Sequence, residues 1–464
     1  VPGSVAVITL GCARNEVDSE ELAGRLAEQG WTLVEDPATA DAVLVNTCGF
    51  VDVAKKDSID TLLASTDLKT TDGVQAVVAV GCLSERYGES LAQELPEVDA
   101  VLGFDDYPAI AQRLDDVLAG RPITPHVPKD RRTLLPISPV DRPAVQESNT
   151  GWQPPVLRRR LDGSPVAPVK LASGCDRRCS FCAIPSFRGS FVSRPPQDIC
   201  DEISWIATQG VREVVLVSEN STSYGKDFGD VRALESLLPQ IDDLGALTRL
   251  RVAYLQPAEI RPGILTSVIR TPVVANAFDI SFQHASPTVL RRMRRFGGIN
   301  DFLTLIEQIR ALDPQAGIRS NVIVGFPGET EEDFQILIDF LTQAGLDAVG
   351  VFGYSDEEGT EAFTFEDKLE PEVVNERVNH IQQLVDSLMV QRAEDRIGHF
   401  GDVLIEMHDD DEDLGVIAVG RAAHQNPDDA ATIISDPDKQ LAIGSLVPVR
   451  FNAVRGFDLL ATRR

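Results

Sequence analysis

The sequence predicts a mixed α/β chain in three parts: an N-terminal open parallel α/β sheet, a central partial (β/α)6 barrel and a C-terminal small antiparallel β-barrel. Three patterns predict this. Short Val- and Ile-rich runs alternate with helical patterns over the first part, as buried parallel strands with crossover helices do. Six further strand–helix units recur from Val166 onward. The last stretch holds five short strand-like runs separated by turn residues, which suits a small barrel.

In the first part, VAVITL (5–10) precedes a helix predicted over 15–29. AVLVN (42–46) precedes one over 52–65, and AVVAV (76–80) one over 84–94. Residues 126–165 are rich in Pro, Arg and Ser and show neither a helical nor a strand period. They are predicted to be a linker, or an extended segment packed over a neighbour. The central runs are VAPVKLA from Val166, EVVLVS (213–218), RLRVAYL (249–255), NAFDISF (276–282), IRSNVIVGF (318–326) and AVGVFGY (348–354). Helices are predicted between them at 197–209, 231–243, 258–270, 300–312 and 331–344, and a closing helix at 371–397. In such a barrel chemistry sits at the C-terminal ends of the strands. The final runs are DVLIEMH, GVIAVGRA, ATIIS, LVPVRFNAV and FDLLATR. The expected division is 1–125, a linker over 126–165, 166–397 and 398–464.

A chain of 464 residues has room for about two to four domains, at roughly 100–200 residues each. Seven cysteines, an odd number in a long chain, argue against a disulfide framework and for metal ligation in a reducing compartment. The first residues carry neither the basic region nor the long apolar core of a secretory signal. No stretch approaches ~20 consecutive apolar residues. The expectation is a cytoplasmic protein without a membrane partner. A net charge of −29 disfavours a general affinity for nucleic acid and suits a basic partner, with plain solubility as the bland alternative.

Cys175, Cys179 and Cys182 stand in SGCDRRCSFCAIP with the spacing C-x3-C-x2-C. Three thiolates on one loop hold three irons of a cubic iron–sulfur cluster and leave the fourth open, since complete cysteine ligation uses four. An open iron is a place for a substrate. Zinc is the main alternative, but structural zinc sites favour paired C-x2-C units with a fourth ligand, and none follows here. Upstream, Cys12, Cys48 and Cys82 each end an apolar run: VITLGC, LVNTC and VAVGC. In a parallel sheet such ends line one edge, so the three converge and could share a second cluster. Chance placement of small buried thiols is the alternative. Cys200, within a helical stretch, reads as an ordinary buried thiol.

The C-x3-C-x2-C loop after the first barrel strand resembles the radical S-adenosylmethionine superfamily. The resemblance implies a 4Fe–4S cluster on Cys175, Cys179 and Cys182, with S-adenosylmethionine at its open iron. It also implies cofactor contacts from Phe181, which stands between two of the cysteines, from Gln283, and from Gly325 and Glu329 in IVGFPGE (323–329). A glycine-rich turn after a strand lets backbone approach a ligand closely, although a plain tight turn would look the same. Two cysteine trios followed by a small barrel are similar to the methylthiotransferase family over essentially the whole chain. That resemblance implies a second 4Fe–4S cluster on Cys12, Cys48 and Cys82, a TRAM-like C-terminal barrel and two uses of S-adenosylmethionine, as methyl donor and as radical source. It leaves the electron donor unnamed and names no catalytic residue.

Within that family, GCARNEVDSE (11–20), NTCGFVDVAKKDSID (46–60), KLASGCDRRCSFCAIPSFRGSFVSRPP (170–196), FQHASPTVLRRMRR (282–295) and YSDEEGT (354–360) resemble the RimO type. This implies methylthiolation of the β-carbon of an aspartate in small-subunit ribosomal protein uS12. The departure is SENSTSYG (218–225), where Glu219-Asn220 replaces a more usual Gln-Asp pair. From Asp402 to Arg464 twelve acidic residues face six basic ones, and Asp409 to Asp413 form an acidic run. That surface suits a basic protein better than RNA, or is simply a solvated turn. RRMRR (291–295) is a basic cluster, read either as an anion site or as a wet helix face, and Arg188 is read as steadying a carboxylate of substrate or cofactor. The alternatives are a transfer-RNA adenosine methylthiotransferase, a non-catalytic iron–sulfur carrier or sensor, and an RNA-binding module with structural zinc.

Overall fold

The computed structural model describes residues 3–133, 158–427, 429–436 and 440–464; the middle of the predicted linker, 134–157, lies outside the described residues.

The first sheet comprises β1 (Ser4–Thr9), β2 (Thr32–Leu33), β3 (Ala42–Thr47), β4 (Ala76–Gly81) and β5 (Ala100–Val101). All pairs are parallel, in the order β2-β1-β3-β4-β5. β3 and β4 are buried at every position, which is why they read as continuous apolar runs. The helices are α1 (Ala13–Glu28), α2 (Asp52–Thr71), α3 (Cys82–Glu94) and α4 (Ile110–Leu118). α1 and α4 cover one face, where Leu22, Leu26, Leu44, Val78 and Leu114 pack. α2 and α3 cover the other, with Val43, Leu62, Val77 and Leu91. The strand order reverses between β1 and β3, and such a switch point opens a crevice at the C-terminal strand ends.

The six predicted central strands are present. β6 (Val166–Lys170) is followed by a short ladder of β7 (Ala172–Ser173) with β8 (Val192–Ser193) that brackets the cysteine loop. Then come β9 (Glu213–Val217), β10 (Arg249–Val252), β11 (Ala277–Asp279), β12 (Gly317–Val324) and β13 (Ala348–Gly353). They form two parallel sheets, β10-β9-β6 and β11-β12-β13, joined by isolated bridges at Leu250–Val274 and Leu255–Ile280. The barrel wall is interrupted there because Tyr254, with φ of 61°, takes the chain out of extended geometry just after β10.

α5 (Ile184–Arg188), α6 (Pro196–Thr208), α7 (Ala233–Asp243), α8 (Pro262–Arg270), α9 (Pro287–Arg292), α10 (Ile299–Leu312), α11 (Glu331–Ala344) and α12 (Pro371–Glu394) complete this part. The longer ones share one core with the strands, through Ile203, Leu237, Ile264, Ile306, Leu337 and Ile381. The helix expected over 258–270 begins only at Pro262, because proline suits a first helical turn and not an interior. The closing helix ends at Glu394, short of the expected 397.

β14 (Phe400–Asp411), β15 (Gly415–Ala422), β16 (Thr432–Ser435), β17 (Leu446–Arg455) and β18 (Asp458–Arg463) form a closed barrel in the order β14-β15-β16-β18-β17. The expectation of a wholly antiparallel barrel is corrected at one seam, where β16 and β18 are parallel. Five strands make an odd ring, and an odd ring of alternating directions must repeat one direction where it closes. This barrel docks at the starts of β9 and β10. Arg251 pairs with Glu213 at 2.6 Å and donates to the carbonyls of Ala422 and Ala423, while Arg249 pairs with the same carboxylate and donates to the Arg421 carbonyl. Among the described residues no helix is long and apolar enough to cross a membrane.

Candidate active site

The N-terminal thiols sit where the strands of the first sheet run out. Cys12 is the N-cap of α1 and Cys82 the first residue of α3. Gly81 has φ of 93°, and a Cβ there would lie 2.3 Å from Asn46 Oδ1 and 2.5 Å from the Thr47 carbonyl, so only glycine lets β4 turn into α3 this close to β3. Asn15 ties the three strand ends together. Its N–H donates to the Cys12 carbonyl at 2.7 Å and its Nδ2 to the Thr47 carbonyl at 3.2 Å, while its Oδ1 accepts from the Cys82 thiol at 3.6 Å. The Cys48 N–H donates to Ser58 Oγ at 2.9 Å.

The charges around this trio are cationic. Burial works against the Cys12 thiolate, but Arg14 and Arg188 outweigh it and hold the thiol below its ordinary range. Burial pushes Cys48 up, and pushes Cys82 up to about 12 although Arg188 lies beside it. Arg188 Nη2 is 3.0 Å from Cys82 Sγ and donates to Asn15 Oδ1, and its Nη1 pairs with Asp18 Oδ2 at 2.9 Å. Lys170 Nζ takes the other oxygen of Asp18 at 2.5 Å. The carboxylate that Arg188 steadies is therefore internal, which corrects the expectation of a substrate or cofactor carboxylate.

The second trio lies on the loop after β6 and β7. Gly174, with φ of 78°, turns the chain so tightly that a Cβ would meet the Ser190 carbonyl at 2.1 Å. The Cys175 N–H donates to the Gly189 carbonyl at 3.0 Å and the Cys182 N–H to the Cys179 carbonyl at 3.1 Å. Ser180 pins the loop to α9, its Oγ donating to the Arg292 carbonyl at 2.7 Å. Burial pushes Cys175 up to about 12 and Cys182 higher still.

An open cavity of about 230 Å³ is lined by the second trio and by residues that follow Cys12 and Cys48 in sequence; the first-trio cysteines are not among its lining residues. Cys175, Cys179, Cys182 and Phe181 form one wall, and Arg14, Phe50 and Val51, each a few residues beyond an N-terminal cysteine, form another. Gln283 and Tyr254 complete it from the strand ends. Among the described residues three non-glycine residues have positive φ: Tyr254, Gln283 and Arg294. Two line this cavity and the third precedes Arg295, which also lines it. Such backbone clusters at functional sites. Glu219 and Gln256 line this space, and the buried Glu219 Oε2 and Gln256 Oε1 have no hydrogen-bond partner. Among the described residues no three His, Cys, Asp or Glu side chains meet tightly enough for a single metal ion. A cubic cluster instead spreads its three thiolates over three irons.

Residues 4–103 match the family described as Uncharacterized protein family UPF0004, and residues 169–341 match the Radical SAM superfamily. Ribosomal protein uS12 methylthiotransferase RimO of Saccharopolyspora erythraea is 59% identical over 98% of this chain and 94% of its own length. The protein of the same name from Kineococcus radiotolerans is 58% identical over 99% and 96%. This chain belongs to the uS12 methylthiotransferase family. Among solved structures, the radical S-adenosylmethionine methyltransferase TsrM of Kitasatospora setae matches 76% of this chain and 75% of its own, with a TM-score of 0.56 and 15% identity, a likeness of fold alone.

Not every residue singled out in the sequence reaches the cavity of this methylthiotransferase. Phe181, Gln283 and the second trio do. Gly325 and Glu329 are not among its lining residues. Glu329 is fully buried and serves its own turn: Oε2 accepts from the N–H of Gly325 at 2.9 Å, and Oε1 pairs with Arg377 at 2.5 Å. RRMRR is not one basic face. Arg292 pairs with Asp367 and Arg294 with Glu361, both at 2.6 Å, while Arg295 turns inward. In the acidic run Asp411 pairs with Arg455 at 2.7 Å. Cys200 packs in the central core. Arg14 and Gln256 were not singled out in the sequence, and Arg295 was noted only as part of RRMRR. The signal for Arg14 was its place two residues beyond Cys12; Gln256 carries none that spacing reveals.

Proposed function

We infer that this enzyme replaces a hydrogen on the β-carbon of an aspartate in small-subunit ribosomal protein uS12 with a methylthio group, acting in the cytoplasm. The observation that carries this reading is one cavity lined by the second thiol trio and by Arg14, Phe50 and Val51, which follow two cysteines of the first. A reaction that removes hydrogen and delivers sulfur at the same carbon needs both stations within reach of one substrate. The donor sets suit the groups involved. Cys175, Cys179 and Cys182 would hold one 4Fe–4S cluster and Cys12, Cys48 and Cys82 the other, three soft thiolates each. The orphaned oxygens of Glu219 and Gln256 fit the ammonium and hydroxyl donors of S-adenosylmethionine, with Phe181 and Gln283 beside them. When bound, these groups supply the hydrogen-abstracting radical, the methyl group and the sulfur.

The chain's own residues bind, orient and exclude water. Phe50, Val51, Phe181, Ile184 and Phe352 give the cavity an apolar lining that keeps a reactive centre dry. Arg188, held by Asp18 and Asn15, places a fixed positive charge against Cys82 and offsets the charge that thiolates accumulate. Gly325 and Glu329 hold the turn after β12 through the Gly325 N–H to Glu329 Oε2 bond. The same reading divides the chain into 1–125, a linker over 126–165, 166–397 and 398–464.

The test is a mass spectrum of uS12 after anaerobic incubation with reconstituted enzyme, S-adenosylmethionine and a reductant. The expected result is a gain of one methylthio group in place of hydrogen, localised to an aspartate. Release of 5′-deoxyadenosine with no change in uS12 would move the substrate elsewhere. Neither product, with both clusters present, would end the enzyme reading.

A further inference from the structure

On the reading above, two carboxylates must share the cavity: that of S-adenosylmethionine and that of the target aspartate. A carboxylate drawn into a partly apolar site needs a cation opposite it. Arg14, Arg177 and Arg295 line the cavity. Arg177 is committed to Glu259 at 2.7 Å, a carboxyl that Lys226 and Arg177 hold down to about 2 against its burial. Arg295 lies on the side of the second trio, with Nη1 3.9 Å from Cys179 Sγ. Its Nη2 is spent on the Ser281 carbonyl.

Arg14 is placed differently. It belongs to the first turn of α1, on the wall of the first trio. Its Nη1 donates to the Ser218 carbonyl at 3.3 Å, and Glu219 Oε1 is 3.8 Å away, beyond hydrogen-bond length. Its guanidinium lies over the Tyr254 ring at 5.3 Å, which restrains its plane. It follows Cys12 by two residues and lines the same cavity as Cys175, Cys179 and Cys182. With the Cys12 thiol and the Ser218 carbonyl as its hydrogen-bond partners, its guanidinium keeps donors for a ligand in that cavity.

We propose that Arg14 binds the carboxylate of the target aspartate and thereby sets the preference for that side chain. The β-carbon of aspartate is one bond from its carboxyl carbon. A cation gripping the carboxylate in that cavity puts that carbon within reach of hydrogen abstraction from one side and sulfur delivery from the other. Guanidinium matches a carboxylate with two parallel hydrogen bonds, and its charge does not titrate in the physiological range. Arg14 itself neither gains nor loses a proton in the exchange.

The experiment is a binding cycle with the anaerobically reconstituted holoenzyme. Wild type and Arg14→Gln are titrated with fluorescently labelled uS12 carrying either the target aspartate or asparagine. Wild type should prefer the aspartate form by about tenfold, and Arg14→Gln should reduce that preference to within about twofold, a coupling that a purely structural role would not show. Electron paramagnetic resonance should show both clusters in each protein. An undiminished preference in Arg14→Gln overturns the proposal. Should that variant lose the first-trio cluster, Arg14→Lys decides: a preference cut to a fewfold supports the role, because a point charge lacks the two-pronged grip, and an unchanged one overturns it. Wild type that methylthiolates uS12 without distinguishing the two forms overturns this proposal alone. Wild type that neither binds nor modifies uS12 overturns the uS12 reading along with it.

Discussion

The two thiol trios reach the same end by opposite routes. The second is local: eight residues after one strand, held by backbone hydrogen bonds inside the loop and by Ser180 reaching α9. The first is assembled from three strand ends between Cys12 and Cys82, and it exists only while β1, β3 and β4 keep their register. A loop site tolerates change in the scaffold beneath it. A sheet-edge site inherits every shift of the sheet. The first trio should therefore be the more fragile, and the more sensitive to buried charge, since Arg188 lies directly against Cys82 and is held by Asp18.

The largest effects should come from the thiols themselves. Cys179→Ala should abolish both 5′-deoxyadenosine release and uS12 modification, whereas Cys48→Ala should abolish modification and leave 5′-deoxyadenosine release measurable. Each should lower bound iron to about half, one cubic cluster of two. Equal loss of both products in the two variants would mean that the trios do not divide the labour.

Next come the glycines that turn each chain segment. Gly81→Ala forces a Cβ into Asn46 and the Thr47 carbonyl, and Gly174→Ala forces one into the Ser190 carbonyl. Both should cost on the order of 1–3 kcal/mol, as strained backbone does. They should differ in reach. Gly81→Ala should lower the thermal midpoint of the first sheet and selectively remove the first cluster, while Gly174→Ala should remove the second and leave that sheet's midpoint alone. Calorimetry with iron analysis of each variant separates the two.

Much of this contrast was legible in the sequence, for a physical reason. Parallel strands buried on both faces announce themselves as apolar runs, and the cysteines stood at their C-terminal ends. The cysteine loop was legible because its spacing is local. Long-range pairing was not. Arg188 finds Asp18 across the chain because two sheets dock, and nothing near either residue in the sequence signals that. The family resemblance made Glu329 a cofactor contact, and in the structure its carboxylate accepts from the N–H of Gly325 and pairs with Arg377. The parallel seam of the last barrel follows from the parity of its ring, which strand patterns do not display.

A smaller effect sharpens the comparison at the junction between the trios' two scaffolds. Arg158 bridges Glu20 of α1 and Glu202 of α6, both at 2.6 Å. Burial opposes ionisation of Glu202, but Arg194 and Arg158 outweigh it and hold the carboxyl down to about 2. A depressed carboxyl stabilises the fold fully above its unfolded value, near 4.3, and loses that contribution as pH falls toward the folded value. The contribution is about 3 kcal/mol at neutral pH. Glu202→Gln should lower the urea midpoint clearly at pH 7 and about half as much at pH 3. The smallest effect should be that of Lys56→Ala on α2, whose partner Asp60 is exposed and one helical turn away. It should change neither the thermal midpoint nor bound iron measurably.

The C-terminal barrel is gripped by Arg249 and Arg251, and what they hold are the carbonyls of Arg421, Ala422 and Ala423. Every amino acid has that oxygen. What these two arginines read on the barrel's side is thus main chain, indifferent in itself to the side chains that carry it, provided Glu213 keeps both guanidinium groups in place. Ala422 packs in the barrel core and Arg421 pairs with Glu406, so mutational scanning of 421–423 should find Ala423 the tolerant position facing two intolerant arginines.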